Sequence, residues 1–389
     1  MRIGVDATSW VNRRGYGRFA RNALTKLVEL DGETDYVFVI DDASAPLVEL
    51  PEGAGRLTVA LSRPPASAAA AGSYRPPADL LRLGAAVTRA RFEVMLFPSV
   101  YTYFPSALAP VVVGLHDLIA DDFPELTLPT RRARTFWQAK QRLAVRLARR
   151  LFTVSESARD AISASLGIAT AKLTVVPEAP DPAFTPRPAA DIQRETAAIG
   201  VPPGYRYLLF AGGISPHKNV ETLVDAYASL VRDGADDLGL VVVGALDDEA
   251  YLSAAAAVRR RIDELAVGNG VILPGFVSDD TLACLYSGAA AVVSPSLAEG
   301  FGLPAVEAAA CGAPVVLSDI PAHREALGDD ALFFPPRDTD LLAEQLQQLL
   351  RSDMLRRSLA ERGHRRVARY SWNASAVALR TLLHGAARG

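Results

Sequence analysis

Short apolar runs rich in Val, Ile and Leu alternate along this chain with longer amphipathic stretches. In the first half the runs that predict strands are 2–7, 36–41, 56–61, 94–99, 111–117, 151–156 and 172–178. In the second half they are 207–213, 239–245, 271–277, 290–296, 314–319 and 331–336. Helical patterns sit between most of them. Continuously apolar strands separated by helices predict parallel sheets covered on both faces. The pattern therefore predicts an α/β protein with doubly wound sheets, and its two halves share this style.

Proline marks where the halves part. Pro177, Pro180, Pro182, Pro186, Pro188, Pro202 and Pro203 cluster in one segment. Proline fixes φ and lacks an N–H, so it continues neither a central strand nor a helix. This predicts a linker over 179–205, between an N-terminal domain, 1–178, and a C-terminal domain, 206–372. A last helical stretch, 373–389, is expected to cross back to the first domain. A second irregular segment, 63–77, reads as a surface loop of that domain.

Composition narrows the class. With 389 residues and 50% hydrophobic content the chain is neither disordered nor short of core. Its apolar runs fall well below the roughly 20 residues of a membrane span. The start, MRIGVDATSW, lacks the apolar region of a secretory signal. A cytoplasmic protein is expected, with Cys284 and Cys311 as buried free thiols. A net charge of −3 argues against a dedicated nucleic-acid binder. That average hides a split: residues 1–186 hold 22 Lys+Arg and 19 Asp+Glu, net +3, whereas 187–389 hold 19 and 25, net −6. The two halves are expected to face different partners.

Open parallel sheets bind ligands at the carboxyl ends of their strands, so chemistry is sought there. The strongest constellation is SPSLAEGFGLPAVEAAACGAPVV, 294–316. A strand is predicted to end at Ser294, with Glu299, Gly300, Phe301 and Gly302 in the loop after it. Pro304 suits the first turn of a helix and Gly312 its C-terminal cap. Open backbone N–H groups over Gly300, Phe301, Gly302 and Leu303, beside a helix start, suit anions and sugar hydroxyls. Glu299 and Glu307 can point to one ligand, and a carboxylate binds vicinal hydroxyls through paired hydrogen bonds. The plainer alternative is an acidic loop followed by a glutamate that favours the helix dipole.

In FAGGISPHKNV, 210–220, the strand ends at Gly212-Gly213, and Lys218 with Asn219 opens a helix. Asn219 is a good N-cap residue. A lysine at a helix start opposes the dipole unless an anion sits there too, the alternative being a solvated lysine. His116, one of five histidines, ends the run VVVGLHD. It is either a ligand contact or a structural histidine hydrogen-bonded beside Asp117. In GYGRFARN, 15–22, Gly15-x-Gly17-x-x-Ala20 looks like a dinucleotide fingerprint, and Asp41 and Asp42 close the next strand. This keeps an NAD(P)-dependent oxidoreductase open. The fingerprint should start at the strand end, however, and Thr8 to Arg14 intervene. Gly17 better suits a loop approaching phosphates, with Arg18 nearby. Finally, 131–152 holds eight basic residues and no acid. Read as one helix, it puts Arg142, Arg146, Arg149 and Arg150 on one face. Phe136, Leu143, Leu147 and Leu151 fall on the opposite arc, expected in the core. The basic face is either solvated or drawn to an anionic membrane surface, at about 1 kcal/mol per basic residue.

These segments carry a resemblance. GYGRFARN, LHDLIADDFPE (115–125), TVSESARDAI (153–162), FAGGISPHKNVETLVDAY (210–227), LVVVG (240–244), LPGFVSDDTLACLYSGA (273–289) and Glu299-x7-Glu307 within EGFGLPAVEAAACGAPVV follow one another along nearly the whole chain. In that order they resemble the retaining family-four glycosyltransferases of the GT-B fold, in their mannosyl- and rhamnosyltransferase branch. The resemblance implies two Rossmann-like domains facing a central cleft, the first for the acceptor and the second for a nucleotide sugar. It implies transfer of a hexose from a nucleotide-diphosphate sugar, leaning to GDP-mannose, to a glycan, lipid-linked or small-molecule acceptor. Substitution would be on the same face, with neither a metal nor a further cofactor, in the cytoplasm or at the inner face of the membrane. Lys218 would bind the diphosphate, Glu299 would position the sugar and Glu307 would hold the ribose. His116 would meet sugar hydroxyls near the reacting carbon, Gly17 and Arg18 would approach the phosphates, and 275–279 would meet the base. Domain closure would bring Gly17 and His116 over the diphosphate. The chain departs from the pattern at Gly213, where many members place an arginine; His217 or Arg18 is the expected substitute. A non-catalytic nucleotide-sugar-binding protein of the same fold stays open as an alternative.

Overall fold

The computed structural model describes residues 1–8, 10–12, 15–62, 75–106, 109–128, 130–246 and 253–388. Most of the 63–77 loop, residues 63–74, lies outside the described residues. The chain divides into two compact units, Met1–Glu178 with Ser371–Gly389, and Ala179–Tyr370.

Each apolar run becomes a strand. In unit one these are β1 (Arg2–Asp6), β2 (Asp35–Asp41), β3 (Gly55–Val59), β4 (Val94–Phe97), β5 (Val111–Gly114), β6 (Ala148–Thr153) and β7 (Leu173–Val175). In unit two they are β8 (Arg206–Ala211), β9 (Leu238–Val243), β10 (Val271–Gly275), β11 (Ala291–Ser294), β12 (Val315–Ser318) and β13 (Leu332–Phe334). All pairings are parallel, in the orders β3-β2-β1-β4-β5-β6-β7 and β10-β9-β8-β11-β12-β13. Both sheets are therefore doubly wound. Strands β4, β9, β11 and β12 are buried along their whole length, as a sheet covered on both faces requires. The winding reverses once in each sheet, between β1 and β4 and between β8 and β11. At such a switch point neighbouring loops leave in opposite directions and open a crevice.

The longer helices of unit one are α1 (Gly15–Leu30), α2 (Pro77–Ala90), α3 (Arg131–Leu147) and α4 (Glu156–Leu166). Those of unit two are α5 (Ala189–Ala198), α6 (Val220–Arg232), α7 (Ala255–Glu264), α8 (Asp279–Gly288), α9 (Leu303–Ala310), α10 (Pro321–Leu327), α11 (Thr339–Arg351) and α12 (Asp353–Val367). The last helix, α13 (Trp372–Arg388), packs on α1 in unit one, with the Trp372 ring 6.1 Å from Phe19. Ser375 donates to the Pro177 carbonyl, and His384 lies 3.1 Å from Asp31, which also accepts from Tyr36. These polar contacts fix the docking of α13, whose apolar face buries Leu379, Leu383 and Ala386.

Two expectations need correction. The proline-rich segment 179–205 is not an open linker, because it contains α5 and belongs to unit two. Its prolines flank the helix, with Pro188 as N-cap residue, instead of interrupting it. Thr281 of α8 donates to Glu195 of α5 at 2.9 Å, and Arg187 pairs with Asp280 at the same distance. The second correction concerns 131–152, which is a helix only to Leu147. Arg149 and Arg150 stand on β6. The helix is also rotated from the expected arc: Trp137, Gln141 and Ala144 are buried, whereas Phe136, Leu143 and Leu147 are 40%, 40% and 48% exposed. Asp121 accounts for the rotation. Its carboxylate accepts from both Trp137 Nε1 (3.2 Å) and Gln141 Nε2 (2.9 Å) and turns that face inward.

A candidate donor site at the β8–β11 switch point

The site is built from loops that leave neighbouring strands. After β8 the chain runs through Gly212 and Gly213 into a 3₁₀ turn, Pro216–Lys218. Asn219 then adopts a left-handed conformation at the start of α6, with φ of 56°. It does not cap the helix as expected. Its Nδ2 instead donates to the carbonyls of Pro295 (3.1 Å) and Pro336 (2.6 Å), and its Oδ1 accepts from Thr222. One side chain thereby ties the β8 loop to the loops after β11 and β13 and fixes where Lys218 stands.

After β11 the chain passes Ser296 and Glu299 and turns at Gly302, with φ of 91°, into α9. Glycine is required here twice over. The left-handed backbone disfavours a side chain, and a Cβ would come within 3.1 Å of the His323 ring. Pro304 lies in the first turn of α9, and the helix closes in a Schellman motif: Gly312 donates to Ala309 and Ala313 to Ala308. Phe301 is buried edge-on against Tyr370 at 5.0 Å, so the Gly300–Gly302 turn is anchored by a core aromatic. Leu303 is buried as well.

Two residues that lie 81 positions apart meet here. Lys218 Nζ donates to Glu299 Oε1 at 2.5 Å, with the two side chains 16% and 9% exposed. Ser296 donates to the same carboxylate oxygen at 2.7 Å. Burial alone would raise the Glu299 pKa. The Lys218 charge and hydrogen bond, with help from His323 and Ser296, outweigh it and hold Glu299 at about 2. The carboxylate is thus ionised and already aimed. Glu307 lies one turn into α9, buried, and its charge adds to the burial that pushes the Cys311 thiol up to about 12. Cys284 and Cys311 are both buried and free.

His323 escaped the reading of the sequence. It is fully buried behind the turn, where it meets the Ser318 carbonyl through Nδ1 at 2.9 Å and Ser294 through Nε2 at 3.4 Å. Burial lowers its pKa, so the ring stays neutral at pH 7 despite Glu299 nearby. The signal was there: His323 follows β12 as His116 follows β5, each a histidine just past the carboxyl end of a strand.

Gly213 sits in the β8 loop, where its carbonyl accepts from Ser215 N–H, and the group facing Lys218 is the carboxylate of Glu299. His116, Gly17 and Arg18 belong to unit one. His116 does not bond to Asp117, whose carboxylate accepts from Ile119 N–H. It donates from Nε2 to the Pro98 carbonyl at 2.8 Å, stands 3.6 Å from Glu178 through Nδ1, and meets the Phe19 ring edge-on. Gly17 lies in the first turn of α1 rather than in the loop before it. A Cβ there would stand 2.0 Å from the Asn12 carbonyl oxygen, so glycine is needed to seat residues 10–12 against the helix. Arg21 completes that contact by donating to the carbonyls of Trp10 and Asn12. Arg18 is on the same helix, half-buried. The apparent dinucleotide fingerprint is therefore part of a helix that starts well after β1.

Comparison with known proteins identifies the family and the fold. Residues 13–184 match the family model Glycosyltransferase Family 4, and residues 191–366 match Glycosyl transferases group 1. The O-antigen chain mannosyltransferase B of Escherichia coli is 29% identical over 275 residues, 69% of each chain. Among solved structures, sucrose-phosphate synthase from Thermosynechococcus elongatus superposes with a TM-score of 0.78 at 20% identity, over 99% of this chain and 98% of that one. Anabaena HepE in complex with UDP-glucose gives 0.75 at 19% identity, over 98% and 99%. Likeness at such identities speaks for the fold, which is GT-B. The chain belongs to the family-four, group 1 glycosyltransferases, hexosyltransferases that draw their sugar from a nucleotide sugar.

Proposed function

We propose that this protein transfers a hexose, with mannose from GDP-mannose as the preferred donor, to a glycan, lipid-linked or small-molecule acceptor with retention of configuration. The observation that carries the reading is the buried Lys218–Glu299 pair at the switch point, beside the Gly302-led start of α9. A cation beside a helix start favours a diphosphate, and an aimed carboxylate favours sugar hydroxyls. In the reaction the bond from the anomeric carbon to the diphosphate oxygen breaks. The acceptor oxygen bonds that carbon on the same face, and the acceptor proton passes to the departing phosphate. Lys218 and the 300–303 backbone would stabilise the growing phosphate charge, Glu299 would hold the sugar and Glu307 the ribose. His116, Gly17 and Arg18 keep their assignment to the donor within this proposal. No metal is invoked. The E. coli relative's name supports mannose, whereas the HepE complex contains UDP-glucose, so the base is a question for experiment.

A thermal-shift panel of UDP-, GDP-, dTDP- and ADP-sugars tests the donor. The largest stabilisation is expected with GDP-mannose, and a flat panel without hydrolysis of any donor would sink the reading. Glu307→Gln is expected to weaken nucleotide binding about tenfold, the cost of a lost charged hydrogen bond. A 2′,3′-dideoxy nucleotide should bind wild type that much more weakly and bind the variant no differently from the ribonucleotide. A variant that still prefers the ribonucleotide refutes the ribose role.

We also propose that unit one works against an anionic membrane surface. Among the described residues no helix is long and apolar enough to cross a membrane. Phe136, Leu143 and Leu147 are exposed on α3 next to Arg132, Arg142 and Arg146, which are exposed too. Apolar side chains flanked by arginines suit a helix lying in the headgroup region. Binding to phosphatidylglycerol vesicles is expected to fall with salt and to lose about 1 kcal/mol per arginine in Arg142→Ala and Arg146→Ala. Equal binding to neutral vesicles contradicts this.

A further inference from the structure

The other switch point, between β1 and β4 in unit one, also gathers charged groups, and none of them serves the donor reading. Asp6 ends β1 and is fully buried. It accepts from Thr8 Oγ1 at 2.7 Å, and Thr8 in turn accepts from Arg75 Nη2 at 2.6 Å. Arg75 lies 5.8 Å over the Phe104 ring; Asp6, Asp41 and Asp79 are in electrostatic range, but burial outweighs their support for its charge. Lys140 reaches in from α3, 5.1 Å over the Trp137 ring, and among the described residues donates only to the Tyr101 carbonyl, at 3.1 Å. Among the described residues no carboxylate lies within ion-pair distance of it. The charged group that acts on it is Arg75, a second cation.

A half-buried ammonium without an anion is costly, and a neighbouring guanidinium makes it more so. Burial, with the repulsion from Arg75, pulls the Lys140 pKa down to about 7. Arg75 Nη1 also lacks a partner among the described residues. The Tyr101 ring, stacked on Trp137 at 4.9 Å, makes one wall of the crevice rigid. An unphosphorylated sugar would offer hydroxyls but leave the Lys140 charge unmet. An anion with several acceptor oxygens would meet both cations at once.

We propose that the β1–β4 crevice binds a phosphate group on the acceptor, held by Lys140 and Arg75. This rests on the glycosyltransferase reading and adds the chemical class of the second substrate. The phosphate has two sources, a soluble sugar phosphate or a lipid headgroup.

Calorimetric titration of the full chain separates them, using inorganic phosphate, a hexose 6-phosphate, the unphosphorylated hexose and a short-chain phosphatidic acid kept monomeric. The phosphorylated probes are expected to bind and to compete with inorganic phosphate, with the hexose at least about tenfold weaker. Tighter binding of the hexose phosphate assigns a soluble acceptor, and tighter binding of the phosphatidic acid a lipid one. Lys140→Met and, separately, Arg75→Gln should each weaken the phosphorylated probes about tenfold, while Lys140→Arg retains them. Nucleotide affinity should be the same in all three variants, which shows that the chain is folded and keeps this test apart from that of the donor site. Hexose and hexose phosphate binding alike, or undiminished phosphate binding in both Lys140→Met and Arg75→Gln, overturns the proposal.

Discussion

Glu299→Gln is expected to lower turnover by about 10²-fold or more while leaving nucleotide-diphosphate affinity unchanged or tighter, because an aimed carboxylate is lost but the phosphate cation is not. In the ligand-free protein Lys218 is bound to Glu299. A diphosphate must therefore share or take over that ammonium, and removing the carboxylate charge removes a competitor. Stability should move the other way, since removing one member of a buried pair leaves an uncompensated cation. The pH dependence follows from the sign of the shift. Glu299 is held at about 2, below its ordinary 4.5, so its contribution to stability is complete above 4.5 and is lost as pH falls through 2. A shift of that size corresponds to something on the order of 3 kcal/mol. The gap in unfolding temperature between wild type and Glu299→Gln should be full near about pH 6 and narrow below the ordinary carboxylate range. A gap that does not change with pH, or a variant with full turnover, refutes the role of this pair.

Lys218→Ala is expected to have the opposite profile. Nucleotide-diphosphate affinity should fall by between about tenfold and 10²-fold, in line with one charge-assisted bond to phosphate. Affinity for the bare nucleoside should not change. Because the chain has Gly213 where a second cation would be expected, Lys218 carries more of this binding than it would as one of two. Glu299 would meanwhile lose its largest stabilising neighbour, and its pKa should climb back toward the ordinary range. A nucleotide dissociation constant equal to wild type, measured by calorimetry, removes Lys218 from the site.

Burial and backbone conformation were legible in the sequence. Each of the thirteen apolar runs became a strand, because a strand covered on both faces must be apolar throughout. The turn into α9 was legible for a similar reason: Gly302, Pro304 and Gly312 suit backbone conformations that few other residues tolerate. Where the reading failed, a distant residue had decided the outcome. The α3 arc was misplaced because Asp121 draws Trp137 and Gln141 inward, and a hydrophobic pattern carries no information about one buried acceptor. The supposed cap Asn219 spends its side chain on carbonyls 76 and 117 residues away.

The sequence by itself determined the strands, the two doubly wound sheets and the family, because local periodicity and the ordered motifs are properties of neighbouring residues. It also marked Lys218, Glu299 and Glu307 as candidates. Only the tertiary structure decided which charges meet. Sheet order β8 beside β11 puts Lys218 against Glu299 with His323 behind the turn, and sheet order β1 beside β4, with α3 rotated by Asp121, leaves Lys140 facing Arg75 without a carboxylate partner among the described residues. Partner choice across such distances depends on which strands become neighbours, and strand order is a property of the whole packed core.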